Sequence, residues 1–277
     1  MFILISPVRN EERFLPGLME SVLSQTVLPI LYVIVDHAST DSSTEIIRRY
    51  SERYEWIHYF RLEREGGGSS AAIKSGFEYA RKLEKKMGIS SEYYAILDTE
   101  IRPPQDYFER IMEAFQSNPE LGIASGSIVH SGKKLYQDPE HPWGACFVIS
   151  HTCLEAIGGF PEGPVFDSTA IVMAQKRGFM TRNFPEIEVR MEREMGAREG
   201  LSKGYFERGR ASGFLGERLF MALAKAAYYT SPPVPLKGLS FMRGYLRMRF
   251  IEREKAPREV REYYRNKSVI ALMKRRL

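Results

Sequence analysis

The chain has 277 residues, enough for one large domain or for one domain with an appended segment. Hydrophobic residues make up 43% of the chain and charged residues 27%, a balance that supports a sizeable core and excludes global disorder. The net charge of +5 is modest, but basic residues outnumber acidic ones from Arg243 onward, up to Lys274, Arg275 and Arg276. Such a stretch suits an anionic lipid, an acidic substrate or a nucleic acid, or simply a solvated helix face.

The cysteines and the hydropathy pattern bear on location. Cys146 and Cys153 are too few for a disulfide framework, which favours a reducing compartment. The apolar start at Met1–Ile5 is shorter than a signal peptide, and no apolar run reaches the roughly 18 residues of a membrane span. We therefore expect a cytoplasmic protein that does not cross a membrane, with association at the cytoplasmic face of one as an open alternative.

Strand and helix signals alternate over the first hundred residues. Four apolar runs of strand length are separated by segments in which apolar residues recur at helical spacing. The predicted strands are Phe2–Ser6, Ile30–Val35, Ile57–Leu62 and Tyr93–Leu97. This alternation is typical of parallel βαβ units with helices on both faces of the sheet, so the sequence predicts an α/β fold.

Ligands of such sheets bind outside the carboxyl ends of the strands. Four polar segments come directly after the predicted strands and are therefore expected to converge on one crevice. They are Pro7–Glu11, Asp36–Asp41, Gly66–Lys74 and Asp98–Glu100.

The pattern changes after Glu100. Three helices and two short strands are predicted before a long and mostly helical end. The helices are Phe108–Phe115, Thr152–Ile157 and Asp167–Arg177, the strands are Ile123–Val129 and Cys146–Ser150, and the helical end begins near Arg193 with a break at Ser231–Pro233.

Asp98 and Glu100 are the first candidates for chemistry. Carboxylates at positions i and i+2 can turn toward one point once the chain leaves the sheet. Together with phosphate oxygens they suit a hard divalent cation such as Mg²⁺ or Mn²⁺, which would neutralise charge on a departing diphosphate. A solvated turn before Pro103 is the alternative.

Other polar residues carry both a functional and a structural interpretation. Asp36 can accept hydrogen bonds from a base or a ribose, or cap the following helix. Asp167 can take a proton from an alcohol, or act as a helix cap. Lys74 follows a glycine-rich turn and can reach a phosphate, although an exposed lysine is the simpler interpretation. Trp143 can stack on a sugar ring or anchor its loop.

Taken in order, these segments resemble the inverting family 2 glycosyltransferases of GT-A fold. The resemblance covers about residues 1–184 and rests on six motifs in the family's order. They are Pro7-Val8-Arg9-Asn10-Glu11, Val35-Asp36-His37-Ala38-Ser39-Thr40-Asp41, the glycine-rich Gly67–Gly76, Asp98-Thr99-Glu100 in place of Asp-x-Asp, Gly144-Ala145 with Gly158-Gly159-Phe160-Pro161, and Phe166-Asp167 with Lys176–Phe179.

The resemblance implies a metal-dependent transfer of sugar from a nucleotide diphosphate to an acceptor hydroxyl, with inversion. Residues 1–100 would form the nucleotide-binding half, residues 101–200 the acceptor half and residues 201–277 a helical extension. Nucleotide-sugar contacts would come from Pro7, Arg9, Glu11, Asp36, Lys74 and Asp98. Asp98 and Glu100 would hold Mn²⁺ or Mg²⁺, Asp167 would be the general base, and Trp143 and Gly144 would meet a glycan or a lipid-linked acceptor.

Several positions depart from the family pattern. His37-Ala38 replaces Asp-Gly, Lys74 replaces Asn, Glu100 replaces Asp, and Phe166 replaces an acid, which leaves Asp167 in apolar surroundings that raise a carboxyl pKa. No histidine completes the metal site; Glu192 and Glu194 occupy roughly that place.

Two other functions compete with sugar transfer. A sugar nucleotidyltransferase would need a glycine-rich basic loop after the first strand, and Pro7–Glu12 contains no glycine. A catalytically degenerate relative that only binds nucleotide or membrane is the second.

In the C-terminal segment, Phe241, Tyr245, Leu246, Met248 and Phe250 alternate with arginines, a pattern that fits either a basic membrane-binding surface or a helix covering the catalytic domain. No nucleic-acid recognition motif is present.

Overall fold

A computed structural model of the chain describes residues 1–63, 68–136, 138–193, 201–230 and 236–266. Its first hundred residues contain four parallel strands and three helices, each where the sequence predicts one. The strands are β1 (Phe2–Val8), β2 (Leu31–His37), β3 (Ile57–Leu62) and β4 (Tyr93–Ile96), and the helices are α1 (Leu15–Leu23), α2 (Ser43–Arg53) and α3 (Gly68–Met87). The predicted turn residues Gly66 and Gly67 lie outside the described part of the chain.

The strand β2 shows how this half of the sheet is covered on both faces. All seven of its residues are buried. Successive side chains point to opposite faces, so Tyr32 and Ile34 pack into one core while Val33 and Val35 pack into the other. The continuous apolar run in the sequence follows from this double burial, which is characteristic of parallel sheets.

The second half of the domain extends the same sheet. Its elements are β5 (Ile101–Arg102), α4 (Tyr107–Ser117), β6 (Leu121–His130), β7 (Lys133–Lys134), a 3₁₀ turn (Gly144–Cys146), β8 (Val148–Ser150), α5 (His151–Ala156), α6 (Phe166–Lys176) and β9 (Met180–Met191). The strand order is β3-β2-β1-β4-β8-β6-β9-β5, with β7 paired to β6. The strand β8 is antiparallel to both of its neighbours, so the sheet is mixed.

The strand β9 is the one long element that the sequence did not predict. Its buried residues, which include Thr181, Ile187, Val189 and Met191, alternate with exposed ones over parts of the strand, and four of the six exposed positions carry a charged residue. Its pairing with β6 also shifts register around Pro185, since Gly126 pairs with Phe184 and the next residue pairs with Glu188. A proline and a bulge inside a half-polar strand hide its period from sequence inspection.

Two compact units are distinguished within the chain. The first comprises Met1–Glu162 and Phe166–Glu192, and the second comprises Gly163–Val165 and the chain from Arg193 onward. The second unit contains α7 (Leu201–Phe214), α8 (Leu219–Tyr229), α9 (Leu236–Leu246), a π-helical turn (Arg247–Glu252) and α10 (Arg258–Asn266). Over the described residues, no helix combines the length and the apolar character needed to cross a membrane.

Glycines allow the close approach of α7 and α9 in the second unit. A Cβ atom at Gly209 would lie 1.9 Å from Phe241 O, and one at Gly244 would lie 1.9 Å from Phe206 O. The backbones therefore touch, and only glycine fits at these two positions. Phe241, Tyr245 and Met248, for which the sequence allowed either a basic surface or a packed helix, are buried in this unit.

Ala38 adopts a left-handed conformation at the end of β2, with φ of +53°. The left-handed region disfavours residues with a Cβ atom, and glycine avoids this penalty at some entropic cost. We expect Ala38→Gly to raise the free energy of unfolding of the first unit by about 0.5–1 kcal/mol. Urea unfolding followed by the fluorescence of Trp56 and Trp143 measures the change.

The matched control for this substitution is Ala114→Gly in the middle of α4. There the backbone is helical, so glycine should lower the free energy of unfolding by about 1 kcal/mol. A loss of stability in both variants would contradict the left-handed conformation at Ala38.

Candidate active site

The loops that follow β1 and β2 are joined by hydrogen bonds. The Asn10 N–H donates to Ser39 Oγ at 3.1 Å, and the Thr40 N–H donates to Asn10 Oδ1 at 2.8 Å. The Glu11 N–H donates to Ser43 Oγ at 2.8 Å, and Glu11 is buried. Since β1 and β2 are parallel neighbours, both loops leave the same edge of the sheet and form one rim.

Pro7 and Arg9, two further predicted nucleotide contacts, lie in or near this rim. Lys74, a third, is paired with Glu162. Pro7 and Arg9 are half-buried, and Pro7 is in register with Val35 of β2. Lys74, in the second turn of α3, forms an ion pair with Glu162. The hydrogen bond with Glu162 raises the pKa of Lys74, so its charge is retained.

Asp36 is fully buried at the end of β2 and holds several donors. Its Oδ1 accepts the Ser39 N–H at 2.9 Å, and its Oδ2 accepts Thr44 Oγ1 at 2.6 Å and Arg61 Nη1 at 2.7 Å. Burial raises the pKa of Asp36, but the hydrogen bonds from Thr44 and Ser39 and the Arg61 charge outweigh it, so the pKa lies below its ordinary value. Asp36 is therefore ionised at neutral pH.

Arg61 was not among the residues predicted for the site. It pairs with Asp36 across the β2–β3 ladder and also donates to Thr44 Oγ1 at 2.8 Å. The available signal was a cation near the carboxyl end of a predicted strand, where a buried charge needs an ionic partner. The partner itself is set by the register of β3 on β2, which the sequence alone does not provide.

Asp98 and Glu100 follow β4 as predicted. The Asp98 N–H donates to Ala145 O at 2.9 Å, and Thr99 Oγ1 donates to Glu100 Oε2 at 3.1 Å. Glu192, a candidate third ligand, instead pairs with Arg102 at 2.7 Å, and its N–H donates to Glu100 O at 2.9 Å. Glu194, the other candidate, lies outside the described residues.

Asp98 and Glu100 fit a divalent cation only if a bound diphosphate supplies further oxygen ligands. Over the described residues, no group of three or more histidine, cysteine or acidic side chains is gathered as a metal site. Asp98 and Glu100 supply two hard carboxylates, the ligand type that Mg²⁺ and Mn²⁺ prefer. The remaining positions suit the phosphate oxygens of a bound diphosphate and water.

The 3₁₀ turn Gly144–Cys146 contacts both Asp167, the predicted base, and Asp98. Asp167 packs against Gly144. A Cβ atom at Gly144 would lie 2.7 Å from Asp167 Oδ2 and 2.9 Å from Asp167 Cβ. The glycine therefore lets the 3₁₀ turn Gly144–Cys146 touch the carboxylate directly. Ala145, the next residue of the same turn, accepts the hydrogen bond from Asp98.

Asp167 occupies the first turn of α6 and is half-buried. Its Oδ1 accepts the N–H of Ser168 at 2.7 Å. Burial raises the pKa of Asp167, the hydrogen bond from Ser168 opposes this effect, and the pKa remains above its ordinary value. A carboxylate with a raised pKa is a stronger base than an ordinary aspartate.

Trp143 precedes the 3₁₀ turn and presents a polar atom without a partner. Its backbone N–H donates to Ser125 Oγ at 2.8 Å, and its ring packs against the core of the first unit. Within the described part of the chain, the indole Nε1–H is buried and makes no hydrogen bond. Buried polar groups are rarely left unpaired, so this indole N–H is an exception among the described residues.

The first unit thus gathers most of the predicted residues into two adjoining groups. The loops after β1 and β2 bring Pro7, Arg9 and Glu11 beside Asp36. The 3₁₀ turn brings Asp98 and Asp167 to one segment through Ala145 and Gly144. The strands β1 and β4 are direct neighbours, so both groups lie at the carboxyl edge of the parallel strands.

Comparison with curated proteins finds relatives that share part of the chain. Glycosyltransferase GlyA of Streptococcus pneumoniae is 34% identical over 107 residues, which is 39% of this chain and 14% of GlyA. The minor teichoic acid biosynthesis protein GgaA of Bacillus subtilis is 27% identical over 138 residues, 48% of this chain and 29% of GgaA. The chain thus spans well under half the length of these two relatives.

Comparison with solved structures and with protein families identifies the fold. The mannosyltransferase PcManGT from Pyrobaculum calidifontis, solved with GDP-Man and Mn²⁺, superposes with a TM-score of 0.57 and 18% identity. The match covers 89% of this chain and 70% of PcManGT. Residues 3–182 match the model of glycosyl transferase family 2. The chain therefore belongs to glycosyl transferase family 2 and has the GT-A fold of the family's enzymes.

Proposed function

We propose that the chain transfers a sugar from a nucleotide-diphosphate donor to an acceptor hydroxyl, with inversion at the anomeric carbon and with a divalent cation. The observation that carries the proposal is the shared 3₁₀ turn, which Asp98 contacts at Ala145 and Asp167 contacts at Gly144. A single displacement requires the leaving diphosphate and the attacking hydroxyl to be held close together. The turn contacts Asp98, proposed for the diphosphate, and Asp167, proposed for the hydroxyl.

The nucleotide is assigned to the rim formed by the loops after β1 and β2. Pro7, Arg9 and Glu11 would surround the base and ribose together with Asp36. The Oδ1 atom of Asp36 accepts a hydrogen bond from Ser39, and a carboxylate oxygen can accept two. Because Asp36 is buried, a ribose or base donor would reach this atom only after the rim opens. GDP-Man bound to PcManGT supports a donor of this chemical class.

The cation is assigned to Asp98 and Glu100. When bound, Mn²⁺ or Mg²⁺ would neutralise charge on the departing diphosphate. Mn²⁺ in PcManGT supports this assignment, and so does the hard oxygen character of the two side chains. Lys74 would add positive charge at the diphosphate, in exchange for its present ion pair with Glu162.

Asp167 is proposed as the general base. It would take the proton from the acceptor hydroxyl, whose oxygen then attacks the anomeric carbon on the face opposite the nucleotide. Trp143 and Gly144, both half-buried, would meet the acceptor. The proposed acceptor is a glycan or a lipid-linked sugar, and a lipid-linked one places the enzyme at the cytoplasmic face of a membrane. The name of GgaA, a teichoic acid biosynthesis protein, supports a glycan acceptor.

Substitution of either proposed metal ligand tests donor binding. A donor present at about 100 times its Kd stabilises the folded state by about 2.7 kcal/mol. We expect a panel of nucleotide sugars with Mn²⁺ to raise the thermal midpoint of the wild type for at least one donor. Asp98→Ala and Glu100→Ala should each remove this rise, and so should EDTA. Glu113→Ala on the exposed face of α4 is the control; equal shifts in all variants would rule out the metal assignment.

Asp167→Asn separates catalysis from donor binding. The variant should keep the donor-induced thermal shift and lose about 10²- to 10⁴-fold in transfer rate, the usual contribution of a general base. Because the pKa of Asp167 is raised, protonation should reduce the wild-type rate as pH falls, beginning above the ordinary aspartate pKa of about 3.9. Transfer by the variant at the wild-type rate would show that another group accepts the proton.

Gly144→Ala tests the contact between the turn and the base. The added methyl would lie 2.7 Å from Asp167 Oδ2, so the carboxylate must move. We expect a loss of about 100-fold in transfer rate with the donor-induced thermal shift retained, as for a displacement of about 1 Å at a reacting group. Gly88→Asn is the control, since no atom lies near that position and asparagine tolerates its φ of +66°. Full activity of Gly144→Ala would contradict this geometry.

A further inference from the structure

The helix α8 is apolar on its solvent-exposed face as well as on its buried face. Its solvent-exposed positions carry Leu219, Phe220, Leu223, Ala224, Ala227 and Tyr228, none of which is charged. The four large side chains among them are between 50% and 60% exposed. The one charged residue of the helix, Lys225, points inward and pairs with Glu217 at 2.6 Å.

A surface helix of a globular protein normally turns its charged side chains to water and its apolar side chains to the core. Here Met221, Ala222 and Ala226 are buried and Tyr229 packs against the core cluster. Among the described residues, the outer leucines of α8 are not part of that cluster. Contiguous exposed apolar patches of this kind mark a surface that contacts another partner.

The neighbouring helix α9 and the turn after it extend the apolar surface. Leu236, Leu239, Leu246, Phe250 and Ile251 are between 42% and 73% exposed. The helices α8 and α9 are in direct contact, because a Cβ atom at Gly238 would lie 2.4 Å from Ala226 O. Their outer surfaces are therefore adjacent parts of the same unit.

The charge of this segment determines the kind of partner. Residues 218–251 contain six basic residues and no aspartate or glutamate. Three of the basic residues, Arg218, Arg243 and Arg249, are exposed, as is Arg247, which pairs with Glu252 at 2.8 Å. Apolar side chains bordered by guanidinium groups match a bilayer with anionic headgroups. A second copy of the chain would present the same positive charge and be repelled.

We propose that the outer face of α8 and α9, here called the apolar-basic face, lies on the surface of an anionic lipid bilayer. Leu219, Phe220 and Leu223 enter the boundary between headgroups and acyl chains, and the arginines bind the lipid phosphates. The protein lies on the membrane rather than across it, in keeping with the length and composition of the described helices. Binding by this face does not depend on sugar transfer, so either proposal can fail alone.

The test uses the full chain and sedimentation with vesicles. We expect binding to vesicles of phosphatidylcholine with phosphatidylglycerol to be at least about tenfold tighter than binding to phosphatidylcholine alone, and to weaken with salt. Phe220→Ser combined with Leu223→Ser should weaken it by about tenfold or more, because the inserted apolar area is reduced. Arg243→Gln combined with Arg249→Gln should weaken binding to the anionic vesicles only.

The matched control is Leu28→Ser combined with Met87→Ser, two exposed apolar residues of the first unit. It should bind vesicles like the wild type. Circular dichroism and thermal unfolding check that each variant is folded, which is expected because all substituted side chains are exposed. Phe220→Trp gives a direct reading of insertion, since lipids brominated on their acyl chains should quench its fluorescence, whereas Leu28→Trp should add no quenched signal.

Three results would overturn the proposal. The first is an absence of wild-type binding to anionic vesicles. The second is equal binding by the wild type and by the Phe220→Ser, Leu223→Ser variant. The third is a dimer in solution that this double variant converts to a monomer, without vesicle binding by either, which would make a second copy the occupant of the apolar-basic face.

Discussion

The hydrogen bond from the Asp98 N–H to Ala145 O, at 2.9 Å, joins the two halves of the first unit next to the pairing of β4 with β8. It continues the antiparallel ladder of β4 and β8 beyond the last paired residues, after the bond from the Ile96 N–H to Phe147 O at 2.7 Å. Strand register therefore fixes Asp98, a proposed metal ligand, relative to the turn that touches Asp167. A slip of one residue would reverse the direction of every side chain and separate them.

The parallel half of the fold was predictable because its signals are local. Each of its four strands is an apolar run of strand length, since helices bury both faces of the sheet. The strand β9 was not predictable in the same way. Its pairing with β6 is interrupted near Pro185, and its exposed positions carry charges, so neither continuous hydrophobicity nor clean alternation marks it in the sequence.

The candidate site shows the same division between local and long-range information. Asp36, Asp98 and Asp167 could be found because each follows a strand or opens a helix, and the family's motif order joins them. Their partners could not be found, because Arg61 meets Asp36 through strand register and Glu162 meets Lys74 across 88 residues. The first pair adds to the hydrogen bonds from Thr44 and Ser39 that lower the pKa of Asp36, and the second occupies a lysine proposed to bind phosphate.

The second unit leaves large apolar side chains exposed although its core is closed. Its core is closed by Phe241 and Tyr245 and by glycines that bring two helices into contact, and Glu217 neutralises the inward Lys225. The exposed leucines of α8 and α9, and Phe220, are not part of that core. Exposed apolar side chains carry a cost in water that folding does not recover here. Cover by the proposed anionic bilayer would recover this free energy, and the basic residues around these side chains fit such a surface.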